Sequence, residues 1–264
     1  MERTVSAADA MVTASGTPLL DGMPRQRTAR LPAAPAAPRI PAAASAPRPG
    51  PRVRSLLPTP TDAPFTFGYA AVLVVTSLFA AYADPSLVHT LYQGSSTDVA
   101  HLVRSPVLVL VTSALWIAGG LTSAYALLFL FVLTALERRI GGRGTAVVFL
   151  LGHVLATLAT EIPVGVAVLA GHLPGSSLHR LDYGISFGVA ACLGALIGLL
   201  PPWPRRAVLT VFGGVLLADL IQFADPLSNW GHLLSLAIGV GTWPLVRRWR
   251  RTDPQDARAT SPYA

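Results

Sequence analysis

Lysine is absent from this chain and cysteine occurs once. All 20 basic residues are therefore arginine, and with Ala, Gly, Pro and Val abundant that bias points to a GC-rich bacterial coding sequence rather than to a function. The single Cys192 excludes an internal disulfide framework and, inside an apolar run, reads as a small packing residue. Charge is also scarce: 12% of the 264 residues are charged and 52% are hydrophobic, too apolar for an ordinary soluble domain. His172 and His179 lack metal-ligand spacing, so no metal and no other cofactor is expected.

The net charge of +7 invites a nucleic-acid reading, but the positions of the arginines exclude one. Eight lie in the N-terminal tail, and most others flank hydrophobic runs. That is the pattern of membrane topology signals, not of a basic binding face. Residues 1–63 are rich in Pro and Ala without a sustained apolar period, which predicts a disordered cytoplasmic tail and no signal peptide. Its Arg48, Arg52 and Arg54 approach the first hydrophobic run, where each is worth about 1 kcal/mol against anionic headgroups. A solvated tail that sets topology is the plainer reading.

Residues 64–250 then read as a membrane domain, followed by a short cytoplasmic tail, 251–264. Six hydrophobic segments are expected, at 65–82, 107–136, 145–170, 184–200, 206–223 and 230–246. A crossing helix needs roughly 20 residues, so the second is too long for one simple span. Its first part, 107–116, is expected in the outer interface or in a partly embedded loop, with the span proper starting near Leu121. Arg138, Arg139 and Arg143 follow span two, Arg205 and Arg206 separate spans four and five, and Arg247, Arg248, Arg250 and Arg251 follow span six. The opposite loops carry only Arg104 and Arg180. The positive-inside rule then puts both termini in the cytoplasm of a six-span, all-α protein in a bacterial plasma membrane.

Two residues stand out in that topology. Ser186, in Gly184-Ile185-Ser186-Phe187-Gly188, and His232, in Gly231-His232, both fall near the outer starts of their spans. At 1.5 Å per residue each side chain lies roughly 3–6 Å below its helix start. Equal depth is necessary for a nucleophile and base drawn from different helices. Gly184, Gly188, Gly194 and Gly198 in span four, with Gly231, Ser235 and Gly239 in span six, permit close backbone approach. The same small residues also describe helix packing without chemistry, and His232 can equally hydrogen-bond a loop carbonyl.

At these residues the chain resembles the rhomboid family of intramembrane serine proteases, in particular a divergent bacterial branch. The motifs are Gly184-Ile185-Ser186 and Gly231-His232 with Gly239, in the family's order. Leu136-Glu137-Arg138-Arg139-Ile140-Gly141 is similar to the end of its second helix, and Thr112-Ser113-Ala114-Leu115 to the end of its first loop. The resemblance implies a six-helix bundle whose Ser186 attacks a peptide carbonyl while His232 takes the proton and returns it to the leaving amine. It implies transmembrane segments of other membrane proteins as substrates. One departure concerns the family's His-X-X-X-Asn pair, which helps bind the oxyanion: Leu121 and Tyr125 stand there, with Thr122, Ser123 and Tyr125 the nearby donors. Losing one such donor costs about 10²- to 10³-fold in rate. A relative without catalysis would still bind membrane-protein clients in the bilayer.

Other polar residues admit narrower readings. His153, Thr157 and Glu161 share one face of span three, where packing is favoured over a proton path. Asp182 is expected to anchor the loop before Ser186, and Asp219 and Gln222 to approach the site and line a water cavity. A small transporter built on His153, Glu161 and Asp219 is a third reading, without an inverted repeat or a broken helix pair to support it.

Overall fold

The computed structural model describes residues 59–223 and 225–251. The expectations for residues 1–58, Arg48, Arg52 and Arg54 among them, and for 252–264 lie outside the described residues. Residues 59–63 form a turn in which the amides of Asp62 and Ala63 donate to the Thr59 carbonyl. Every regular element among the described residues is helical: α1 Pro64–Tyr82, α2 Pro85–Gly94, α3 Val99–Arg104, α4 Pro106–Ser113, α5 Ala124–Leu169, α6 Ser186–Ile197, α7 Pro202–Gln222, α8 Pro226–Gly241 and α9 Trp243–Arg251, with a 3-10 turn at Gly175–His179.

Proline sets the starts of α1, α2, α4, α7 and α8, where its missing N–H would be unpaired anyway. Asp84, Asp98, Ser123 and Asp225 cap α2, α3, α5 and α8 with side-chain oxygens. Pro244 lies just inside α9 and cannot continue the hydrogen bonding of α8, so the expected 230–246 segment divides in two. The 107–136 segment divides as well. Its beginning is α4, and Gly119 and Gly120, both at positive φ, turn the chain before α5 starts at Ala124.

Among the described residues two helices, α1 and α5, are long and apolar enough to cross a membrane. The 46 residues of α5 are not one rod. Gly141 has φ 76° and ψ 164°, outside the helical range, and the arms on either side fold back on each other. Ring geometry shows it. Phe129 and Phe149 would be about 30 Å apart along a straight helix. Yet Phe129 lies 5.2 Å and Phe149 5.3 Å from the ring of Tyr69 on α1. The expected second and third segments are thus the two arms of a hairpin that turns within a single residue.

At the centre sits α6, packed against α5 and α8. All its residues except Ser186 and Leu196 are buried. Twelve residues span only about 18 Å, less than a hydrocarbon core of about 30 Å. A helix enclosed by protein need not match that thickness. Glycines allow the enclosure: a Cβ at Gly194 would collide with the Leu236 carbonyl, and one at Gly239 with the Ala191 carbonyl. The Ser235 hydroxyl donates to the Phe187 carbonyl, and Trp243 Nε1 donates to the Gly194 carbonyl at 2.8 Å.

Candidate active site

Ser186 is the first residue of α6. Ahead of it the chain is held by main-chain bonds. Gly184 N–H donates to the Ser113 carbonyl at 3.0 Å, which ties the loop to the end of α4. Gly184 has φ 123°, a conformation open to glycine, and its place for a Cβ faces Ala118 and the Trp116 carbonyl. Asp182 fastens the loop further: its carbonyl accepts from Thr97 N–H at 2.8 Å, and its N–H donates to Ser96 Oγ at 3.0 Å. Tyr183 stacks on Tyr92 with centroids 4.4 Å apart.

Charge gathers on the same loop. Arg180 donates to Glu161 Oε1 at 2.7 Å and lies 3.5 Å from Asp182 and 3.9 Å from Asp225. Burial pushes the Asp182 carboxyl above its usual range, with Arg180 and Thr97 only partly offsetting it. Arg180 is also desolvated, but the acids around it outweigh that and raise its pKa. Glu161, on the third expected span, is thereby half of a buried ion pair closing the loop onto α5.

His232 lies six residues beyond Pro226, about 9 Å along α8. The expected equal offset from the two helix starts is not what the helices show. The Asp225 cap adds a first turn to α8, whereas Ser186 heads α6. The imidazole lies between Tyr125, stacked at 5.0 Å, and Phe187, edge-on at 5.2 Å. Gly231 makes room for that arrangement, since a Cβ there would strike the Phe187 ring. At Gly188 a Cβ would strike Phe149, so this glycine serves the contact between α6 and α5. His232 Nε2 is buried without a hydrogen-bond partner, and no hydrogen bond joins it to Ser186.

The model of one protein family, described as rhomboid-like protein, matches residues 61–252. This chain belongs to that family. No curated protein and no solved structure matches it. A rhomboid-like membrane protein is therefore the frame for the remaining geometry, and two apolar helices of membrane length agree with it.

In this rhomboid-like chain Leu121 lies in the turn ahead of α5, and Tyr125, in the first turn, presents its ring to His232. With Thr97, Thr157, Asp182 and Gly184, Ser186 lines a cavity of about 10 Å³, and His153, Tyr183 and Phe187 form the rest of its wall. That is near the minimum volume for one water molecule. His153 is 2% exposed and Thr157 1%. Its neighbours place His153 securely: Nε2 is 3.1 Å from the Leu110 carbonyl and 3.1 Å from Ser113 Oγ. The pairing of Ser113 with His153 was not read from sequence, where 40 residues separate them. Asp219, on α7, meets Asn229 of α8 through its carbonyl, at 3.0 Å.

Proposed function

We propose that this rhomboid-like protein is an intramembrane serine peptidase that takes transmembrane segments of other membrane proteins as substrates, with Ser186 as nucleophile and His232 as its histidine. The observation that carries this reading is the position of Ser186. It is the only hydroxyl on an otherwise apolar, enclosed helix, and it heads that helix beside a polar cavity. No side chain caps α6, so the first-turn amides remain available to a carbonyl oxygen that gains charge. Tyr125, Asp182, Gly184, Gly188 and Gly231 support the site by stacking, tethering and making room. The arginine distribution supports six crossings with both termini on the cytoplasmic face: α1, the two arms of α5, then α6, α7 and α8. Placement in a bacterial plasma membrane rests on the lysine-free composition.

A second reading has its own observation. The missing hydrogen bond between Ser186 and His232, with Leu121 and Tyr125 in place of the family's His and Asn, favours a relative that binds client segments and leaves them whole. Reconstitution of the wild type and Ser186→Ala in liposomes with a panel of single-span reporter proteins separates the two. The peptidase reading expects cleavage that the alanine variant abolishes. Reporters that co-purify with both proteins and are cut by neither would establish the second.

A further inference from the structure

We propose that the end of α6 away from Ser186 carries a binding site for an anionic glycerophospholipid, its phosphate on Arg205 and Arg247 and an acyl chain along the outer face of α7. Three observations carry the proposal, and none depends on the peptidase reading. First, an indole is fixed at this end and two guanidiniums are gathered on it. Trp243 Nε1 donates to the Gly194 carbonyl at 2.8 Å, and Gly198 makes room for the ring, which a Cβ there would strike. Arg205, near the start of α7, lies 5.4 Å from the ring centroid, and Arg247, on α9, lies 5.2 Å from it. Arg247 Nε donates to the Gly198 carbonyl at 3.2 Å, which leaves its terminal amino groups for an outside acceptor. The planar fork of a guanidinium matches phosphate oxygens, and a stacked, tethered one is already positioned to bind them.

Second, the charge there is uncompensated. Arg180, on the loop ahead of α6, has Glu161, Asp182 and Asp225 around it. Among the described residues no carboxylate pairs with Arg205, Arg206, Arg247 or Arg248, and the last three of these are exposed. Glu137 is already engaged with the start of α1. Two guanidiniums drawn to one ring repel each other, and a bound phosphate removes that repulsion. Third, an apolar track leads away from the charges. Arg206, Thr210, Gly214, Leu217 and Ile221 follow one another along α7 at spacings of three and four residues, and all are exposed. The face dips at Gly214, where a Cβ would meet nothing within 4 Å. From Arg206 to Ile221 the track runs about 22 Å, enough to cover one leaflet of a hydrocarbon core of about 30 Å. Trp203, 79% exposed and two residues ahead of Arg205, has the place of an interfacial aromatic anchor. A nucleic acid or an acidic peptide would leave the track unused; a phospholipid fits both the cationic head and the apolar face.

The test is native mass spectrometry of the delipidated full-length protein titrated with dioleoyl phosphatidylglycerol or dioleoyl phosphatidylcholine. Four proteins are compared: wild type, the double variant Arg205→Gln with Arg247→Gln, a control that removes two exposed charges elsewhere (Arg104→Gln with Arg143→Gln), and Gly214→Trp. Wild type should retain phosphatidylglycerol and prefer it to phosphatidylcholine. Loss of Arg205 and Arg247 should weaken that retention by about 30-fold, roughly five-fold for each guanidinium, while the control changes it little. Gly214→Trp fills the track without altering charge and should also weaken it. Equal losses in the two double variants, or no loss in Gly214→Trp, overturn the proposal, because a diffuse surface charge would give either result. Wild type alone supplies a second measurement that does not depend on how the variants fold. Equal retention of the two lipids by wild type overturns the proposal. So does displacement of phosphatidylglycerol by equimolar glycerol 3-phosphate, which would make a free phosphate the ligand. Each of these outcomes leaves the peptidase reading of Ser186 untouched.

Discussion

Along α6 every residue but Ser186 and Leu196 is buried, whereas along α7, the next helix, Leu216 alone is. α6 is the more apolar of the two. They differ in side-chain size as well. α6 alternates Gly and Ala with larger residues and lets α5 and α8 close around it, while α7 turns Val211, Val215, Leu217 and Ile221 outward. In water such an outer face would be a liability; against lipid tails it costs nothing. Ser186 therefore heads a firmly enclosed helix, next to a lightly held one.

The comparison breaks most readily at its glycines. A Cβ at Gly194 meets the Leu236 carbonyl, a backbone atom that cannot swing aside, whereas one at Gly214 on α7 meets nothing within 4 Å. Gly194→Val should cost more than about 3 kcal/mol, the upper end of ordinary overpacking. Gly214→Ala should be neutral or stabilise by up to about 1 kcal/mol through helix propensity. Thermal unfolding of both variants in the same detergent checks the pair. Similar losses in the two helices would mean that α7 is as tightly enclosed as α6.

A third helix lies between these extremes and sharpens the contrast. α1 buries only Thr66 and Leu73, but Glu137 of α5 clamps its start. The carboxylate accepts from Phe65 N–H at 2.9 Å, Thr66 N–H at 2.8 Å and Thr66 Oγ1 at 2.7 Å. It acts as an N-terminal cap supplied from 71 residues away. Glu137→Ala should destabilise by at least about 1.5–3 kcal/mol, as expected for charge-assisted hydrogen bonds, and Glu137→Gln by less because one acceptor oxygen survives. Chemical denaturation in micelles would show the order. An alanine variant as stable as wild type would mean that apolar packing alone holds α1.

Much of this was legible in the sequence, for identifiable reasons. Apolar runs and flanking arginines outlined the helices, and Gly184-Ile185-Ser186, Gly231-His232 and the Glu137 stretch carried the resemblance to rhomboids that the family match bears out. Helix boundaries were less legible where a single residue decides them. Gly141 turns α5 without a loop, and Asp225 adds a turn to α8 that carries His232 further from its start. Least legible was the direction of each side chain in the site. Sequence spacing put His153 and Thr157 on one helical face but could not say that this face meets Ser186. Nor could it show that Phe187 and Tyr125 take up the two sides of His232.

The smallest expected effect concerns the loop that joins the firmly held head of α6 to the end of α5. Arg180 cannot satisfy all three acids around it, and Glu161 has the shortest contact, 2.7 Å against 3.5 Å for Asp182. Asp182 is left buried with partial compensation, so its carboxyl keeps its proton to a higher pH in the folded protein than in the unfolded chain. The sign follows from proton linkage. Folding is favoured by this group below the ordinary aspartate value of 3.8, and that contribution is lost as pH rises through the elevated folded value. Asp182→Asn cannot ionise and keeps the main-chain bonds to Ser96 and Thr97, so it should escape the loss. Melting temperatures of the two proteins, taken in steps upward from about pH 3.8, should show wild type falling relative to the variant. If wild type instead gains on the variant across that range, the pull of Arg180 exceeds the cost of burial. The loop would then be held by an ionised Asp182 and locked to the head of α6 as firmly as the helix itself.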